Sequence, residues 1–140
     1  MASPIQAQLI LADAAQVDPG GKVYMLGAGW ETTTIPTAPH AVVAFIKVPW
    51  DRTNLRLQVL LRLLDADGQE VRLPGPLGEQ PVAADSFLEV GRPPGLAPGS
   101  SIGVPFALNL PSLPLKPASY EWRLEVAKEP FSVFFQVRGS

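Results

Sequence analysis

Residues 117–137 constrain the fold of this chain more than any other stretch, because their side chains separate by parity. Tyr120, Trp122, Leu124 and Val126 share one face, while Ser119, Glu121, Arg123 and Glu125 share the other. After Ala127, Lys128, Glu129 and Pro130 the alternation resumes, with Phe131, Val133, Phe135 and Val137 set against Ser132, Gln136 and Arg138. A period of two marks half-buried strands. Two such runs across about four polar or turn-forming residues predict an antiparallel hairpin, whose aromatic face needs a second sheet over it.

The rest of the chain uses the same vocabulary. Residues 5–15 are apolar on both faces around Leu9, Ile10 and Leu11 and read as one strand. Asp18, Pro19, Gly20 and Gly21 form a turn, after which residues 22–34 return as a second strand. Residues 41–49 are apolar at both parities, so both faces are expected to be covered. Leu55, Leu57, Val59, Leu61 and Leu63 alternate with Arg56, Gln58 and Arg62; an Asp67-Gly68 turn follows, with residues 70–73 as the partner strand. Residues 73–81 are rich in proline and glycine and read as a long loop, and residues 82–90 as a weaker strand. Ile102, Val104, Phe106, Leu108 and Leu110 restore the alternation, with Pro105 on the opposite parity, the mark of an edge strand or a bulge.

Eight or nine short strands and no helix predict an all-β fold, a two-sheet antiparallel sandwich of immunoglobulin-like type, formed as a single domain over residues 1–140. Tyr120 enters a strand just after Pro117, the setting of a tyrosine corner. Its hydroxyl is expected to bond a backbone group slightly upstream.

Composition limits the function classes. A chain of 140 residues is long enough to bury about two thirds of its unfolded surface without staples, and with no cysteine it has neither disulfides nor thiolate metal sites. The first residues lack the basic and apolar regions of a secretory signal, and no apolar run approaches the roughly 20 residues of a membrane span. A cytoplasmic protein with no membrane partner is expected. Net charge is −2, with basic residues scattered among acids, so no nucleic acid partner is expected.

Candidate chemistry is sparse. His40 is the single histidine; no Gly-x-Ser-x-Gly elbow accompanies it, so it reads as a loop or strand-end residue. Glu121 and Glu125 would stand ~13 Å apart on a strand, beyond the ~5 to 9.5 Å that paired glycosidase carboxylates need. Asp65 and Asp67 would be ~6.6 Å apart and open like a calcium loop, but the later ligands of an EF-hand are missing, and Asp-Gly is foremost a hairpin turn. Asp51, Asp18 or Asp85 could join them from neighbouring loops, which leaves Asp65, Asp67 and Asp51 as weak metal candidates. Gly27-Ala28-Gly29 lacks the following helix that a phosphate cradle needs and reads as a bulge or close backbone approach. No cofactor is predicted. Trp30, Trp50, Tyr24 and Phe87 could make a stacking surface, although core packing is the commoner fate of such residues. Phe134 lies on the polar parity of the last strand, so it faces outward or into a subunit contact.

The opening Leu9-Ile-Leu-Ala-Asp-Ala-Ala-Gln-Val-Asp-Pro-Gly-Gly-Lys-Val-Tyr-Met-Leu-Gly-Ala-Gly-Trp30, with Val48-Pro-Trp-Asp51 and Leu64-Asp-Ala-Asp-Gly68, resembles a family of small actinobacterial proteins of unknown function. The resemblance covers roughly the first half of the chain. It implies a bacterial, cytosolic setting and carries no site residues.

The sequence therefore predicts a non-enzymatic structural or protein-interaction module of unknown biological role, with self-association or a protein partner, and with Phe134, Trp50 and Trp30 as interaction residues. The alternative is a sandwich that binds a small ligand, carbohydrate or calcium.

Overall fold

A computed structural model describes residues 3–139. Apart from one short 3-10 helix, Trp50–Arg52, the regular structure is strand: β1 Gln6–Ala12, β2 Ala14–Val17, β3 Val23–Leu26, β4 Thr32–Thr33, β5 His40–Val48, β6 Leu57–Leu64, β7 Arg72–Gly75, β8 Gly78–Pro81, β9 Ala83–Leu88, β10 Ile102–Leu110, β11 Ala118–Val126 and β12 Glu129–Val137. They form a sheet ordered β1-β5-β10, a sheet ordered β4-β12-β11-β6-β9, and two hairpins, β2-β3 and β7-β8. All pairings are antiparallel except β4 with β12. The fold is all-β.

The closing hairpin forms as its parity requires. Tyr120, Trp122, Leu124 and Val126 are buried, together with Phe135 and Val137. The connection is tighter than the sequence suggests. Val126 pairs with Glu129, and Ala127 and Lys128 both take positive φ, 49° and 70°, as a two-residue type I′ turn demands. The buried face of β11 and β12 shares one apolar cluster with Leu57, Val59, Leu61 and Leu63 of β6, and with Leu9, Leu11, Val42, Ala44, Ile46 and Val48 of the three-stranded sheet. Tyr120 donates its hydroxyl proton to the Lys116 carbonyl at 2.8 Å, the upstream backbone bond expected of it.

Several boundaries differ from the sequence reading, which is why twelve strands stand where eight or nine were expected. Residues 5–15 are two strands, because the chain bends at Asp13, whose amide bonds the Leu26 carbonyl. Residues 22–34 hold two short strands separated by a turn over Gly27-Ala28-Gly29. That turn is the close backbone approach anticipated there: the Gly29 amide reaches the Leu11 carbonyl at 2.7 Å, and a Cβ on Gly27 would lie 2.1 Å from the Asp13 carboxylate. Residues 72–81 are the β7-β8 hairpin rather than a loop, with Pro74 and Pro81 paired all the same. The Asp65–Gly68 turn does form, but Glu70 makes only an isolated bridge to Leu64, and the long partners of β6 are β11 and β9. Pro105 lies on β10, a sheet edge as expected.

The double-sided burial of β5 has an internal source. Ala41 and Val43, on the parity away from the shared cluster, are fully buried, and β2 packs against β5 and β10 there. Asn109, opposite Ala41, holds β2 in place by donating to the Ala15 carbonyl and accepting from the Ala15 amide. Beyond β2 the face opens at Phe45 and Lys47.

Two stability changes are expected in chemical denaturation. Tyr120→Phe lowers stability by about 1 kcal/mol, the net value of the lost hydrogen bond; no change would remove the corner's role. Replacing Ala127 and Lys128 by Asn and Gly raises stability by about 1 kcal/mol, since left-handed backbone costs a non-glycine residue roughly that much.

Candidate functional site

His40, read as a loop or strand-end residue, begins β5 and is buried in the core, 1% exposed. Its ring is held on three sides. Nδ1 is 3.0 Å from the Ala38 carbonyl, and Nε2 is 3.2 Å from the indole Nε1 of Trp122. Trp30 stands edge-on to it at 5.3 Å between centroids, and Phe135 lies 6.1 Å away. An indole N–H only donates, so Nε2 accepts, and the proton sits on Nδ1 and goes to Ala38. Burial holds the imidazole pKa below its ordinary value. A catalytic imidazole needs an open edge for substrate; both nitrogens here are engaged inside the protein.

The carboxylates are likewise committed to structure. Asp65 Oδ1 accepts from the Asp67 and Gln69 amides, closing its own turn. Asp51 accepts from the Ser3 amide and hydroxyl, and that amide bond holds its pKa below the usual carboxylate range. Asp51 precedes β6 and Asp65 follows it, so the length of that strand, about 23 Å, separates the metal candidates. Among the described residues no group of three or more His, Cys, Asp and Glu side chains is placed to hold a metal ion. Glu121 accepts from Arg123 and Ser132, and Glu125 accepts from Arg62. The outer face of β6, β11 and β12 is thus a ladder of internally neutralised charges.

The four aromatics of the conjectured stacking surface are not gathered. Trp50 is half-buried, with the Arg92 guanidinium 4.0 Å over its ring and its carbonyl bonded by Arg92 and Thr53. Trp30 packs by its edge on His40 and Phe135. Tyr24 and Phe87 are exposed but belong to different sheets.

Phe134 is different. It is 65% exposed on β12, opposite Glu121. On one side is a hollow of about 450 Å³ lined by Glu31, Thr32, Ser119 and Gln136. On the other, about 400 Å³ is lined by Leu9, Leu11, Trp30 and Ser132. Trp30 therefore offers an edge to this second hollow, while Trp50 takes no part. The outward ring was legible from parity; the hollows were not, because β4, β1 and the Gly27–Gly29 turn build them from distant sequence. Parity also gave no notice that Tyr24 and Leu26 stand exposed on β3 beside a hollow of about 570 Å³.

No family model matches the chain, and no curated protein matches it. No helix of the described residues is long and apolar enough to cross a membrane.

The buried imidazole makes stability depend on pH with a definite sign. Its folded pKa lies below the unfolded value of about 6.5, so the unfolded chain binds the proton first. Stability is complete above that pH and falls as pH drops through 6.5 toward the folded value. Denaturation midpoints between pH 7.5 and pH 5.5 should show the decline, and His40→Gln, less stable overall, should flatten it.

Proposed function

We propose that this chain is a non-enzymatic interaction module, an immunoglobulin-like sandwich residing in the cytoplasm that works by presenting a surface to protein partners, a second copy of itself included. The apolar cluster common to the two larger sheets and the Tyr120 corner bond support the sandwich. The observation that carries the functional reading is Phe134, a large ring standing out of a neutralised polar ladder between two hollows. A solvent-exposed phenyl gains nothing for the fold, and aromatic anchors are what protein interfaces bury. Glu121 and Glu125 are paired within the sheet and Glu31 adds a carboxylate beside one hollow, so the partner's complement is apolar with a polar rim and is no polyanion. His40 and the carboxylates serve the core and the turns, in keeping with an absence of catalysis.

Two measurements test this. Phe134→Ser should leave stability within about 0.5 kcal/mol, as surface changes do, since the ring packs on nothing essential. A photo-crosslinking phenylalanine at 134 in host extract should give adducts of defined mass, while the same probe at Leu77, which is more exposed, should give none. Equal labelling at both positions, or heat on titration with calcium or glycans, would overturn the reading.

A further inference from the structure

Backbone parity identifies which groups each sheet edge presents. In the five-stranded sheet Leu63 donates to the Val82 carbonyl, and Ala127 donates to the Gln58 carbonyl. Odd residues of β6 therefore bond toward β9, and even ones toward β11, since an antiparallel ladder alternates. With β9 in register with β6 so that Leu61 faces Ala84 and Leu57 faces Leu88, the even residues of β9 bond inward. The amides and carbonyls of Ala83, Asp85 and Phe87 then point away from the sheet.

The four sheet ends are treated unequally. The β12 end is capped by Glu31 and Thr33, which accept from Gln136 and Arg138. At the β1 end, the Leu11 carbonyl and the Asp13 amide are taken by Gly29 and Leu26. Even residues of β1 must then bond β5, which leaves odd residues of β10 outward; Pro105 is one of them and withdraws a donor from that edge. Among the described residues the β9 end ends the sheet without a capping strand or a proline, its outward groups met only by a long bond from the Ser86 hydroxyl to the Phe87 carbonyl, and it carries an exposed phenylalanine, Phe87. Edges of this kind pair with other strands unless they are blunted.

We infer that β9 is a homodimer edge: it pairs with β9 of a second copy, antiparallel about a two-fold axis at Ser86, so that Asp85 lies opposite the partner copy's Phe87 and the two five-stranded sheets become one. This rests on the interaction-module reading and names one partner and one surface for it. Charge selects both copy and register. Side chains directly opposite share a face, so a two-fold pairing of the outward residues has three nearby registers. One sets Asp85 against its own copy and another sets it against Glu89; like charges opposite one another are unfavourable. The third sets Asp85 beside Phe87. The Arg56 guanidinium already lies 4.0 Å over the Phe87 ring, so in that register each carboxylate meets an arginine from the other copy. A closed two-fold contact of this kind is isologous and stops at two.

Light scattering coupled to size exclusion at about 100 μM should give twice the 15.0 kDa of the chain. Arg56 and Asp85 are exposed, so their variants should melt as the parent does. Asp85→Arg and Arg56→Asp, each alone, should weaken the dimer at least tenfold. The double exchange should restore it, which a merely structural role would not produce. A monomeric parent, a mass that keeps growing with concentration as in head-to-tail pairing, or a dimer indifferent to both exchanges overturns the inference. A monomer that still forms adducts from position 134 overturns the β9 pairing alone; a dimer without such adducts removes the Phe134 surface and keeps the pairing.

Discussion

The hydrogen bond from Trp122 to His40 joins β11 of the larger sheet to the start of β5 in the smaller one. Apolar contact between sheets is tolerant of sliding, because burial depends on area and hardly on direction. A buried donor and acceptor are not tolerant: separated, each loses its partner in a medium without water. The pair therefore fixes how β5 lies across β11. The Ala38 carbonyl fixes the ring's tautomer, and Trp30 and Phe135 wall it in. The charge-free imidazole is what permits this; a cation at the same place would face an N–H donor.

Around that link the chain divides its surfaces between those it covers itself and those it leaves open. The first half of β5 is covered on its second face by the β2-β3 hairpin, clamped by Asn109. An apolar strand on both parities thus needs no second subunit, although its composition alone argues equally for either cover. The outer face of β6, β11 and β12 is balanced by the Arg62–Glu125 and Arg123–Glu121 pairs. Such pairs contribute little stability where they meet solvent, but they neutralise the glutamates of the strand beside Phe134. The surface left open includes the Phe134 ring on β12 and the outward backbone of β9 at the opposite side of the same sheet.

The N-terminal segment is fastened to the far hairpin by a separate polar cluster. Arg52 pairs with Glu129 and also donates to the Ser3 carbonyl, while Glu129 accepts from the Ile5 amide. Residues far apart in sequence thereby close one end of the molecule, where Asp51 holds Ser3 as well. Asp51 thus serves as an anchor for the N-terminal segment.

The sequence by itself determined the strands whose one face is core and whose other face is solvent. β6, β11, β12 and β10 are legible because a half-buried strand must alternate, and Phe134 is legible as the exception to that alternation. It also determined the proline edge and the Tyr120 corner, which depend on neighbours a few residues away. It could not determine the break at Asp13, the β7-β8 hairpin behind its prolines, the cover over β5 or the burial of His40. Three of these are decided by a partner elsewhere along the chain: Leu26 for Asp13, Asn109 for β2, and Trp122, eighty-two residues on, for His40. A single histidine beside a proline looks the same in a loop as in a core. Only tertiary structure supplies the indole N–H that makes burying its ring favourable.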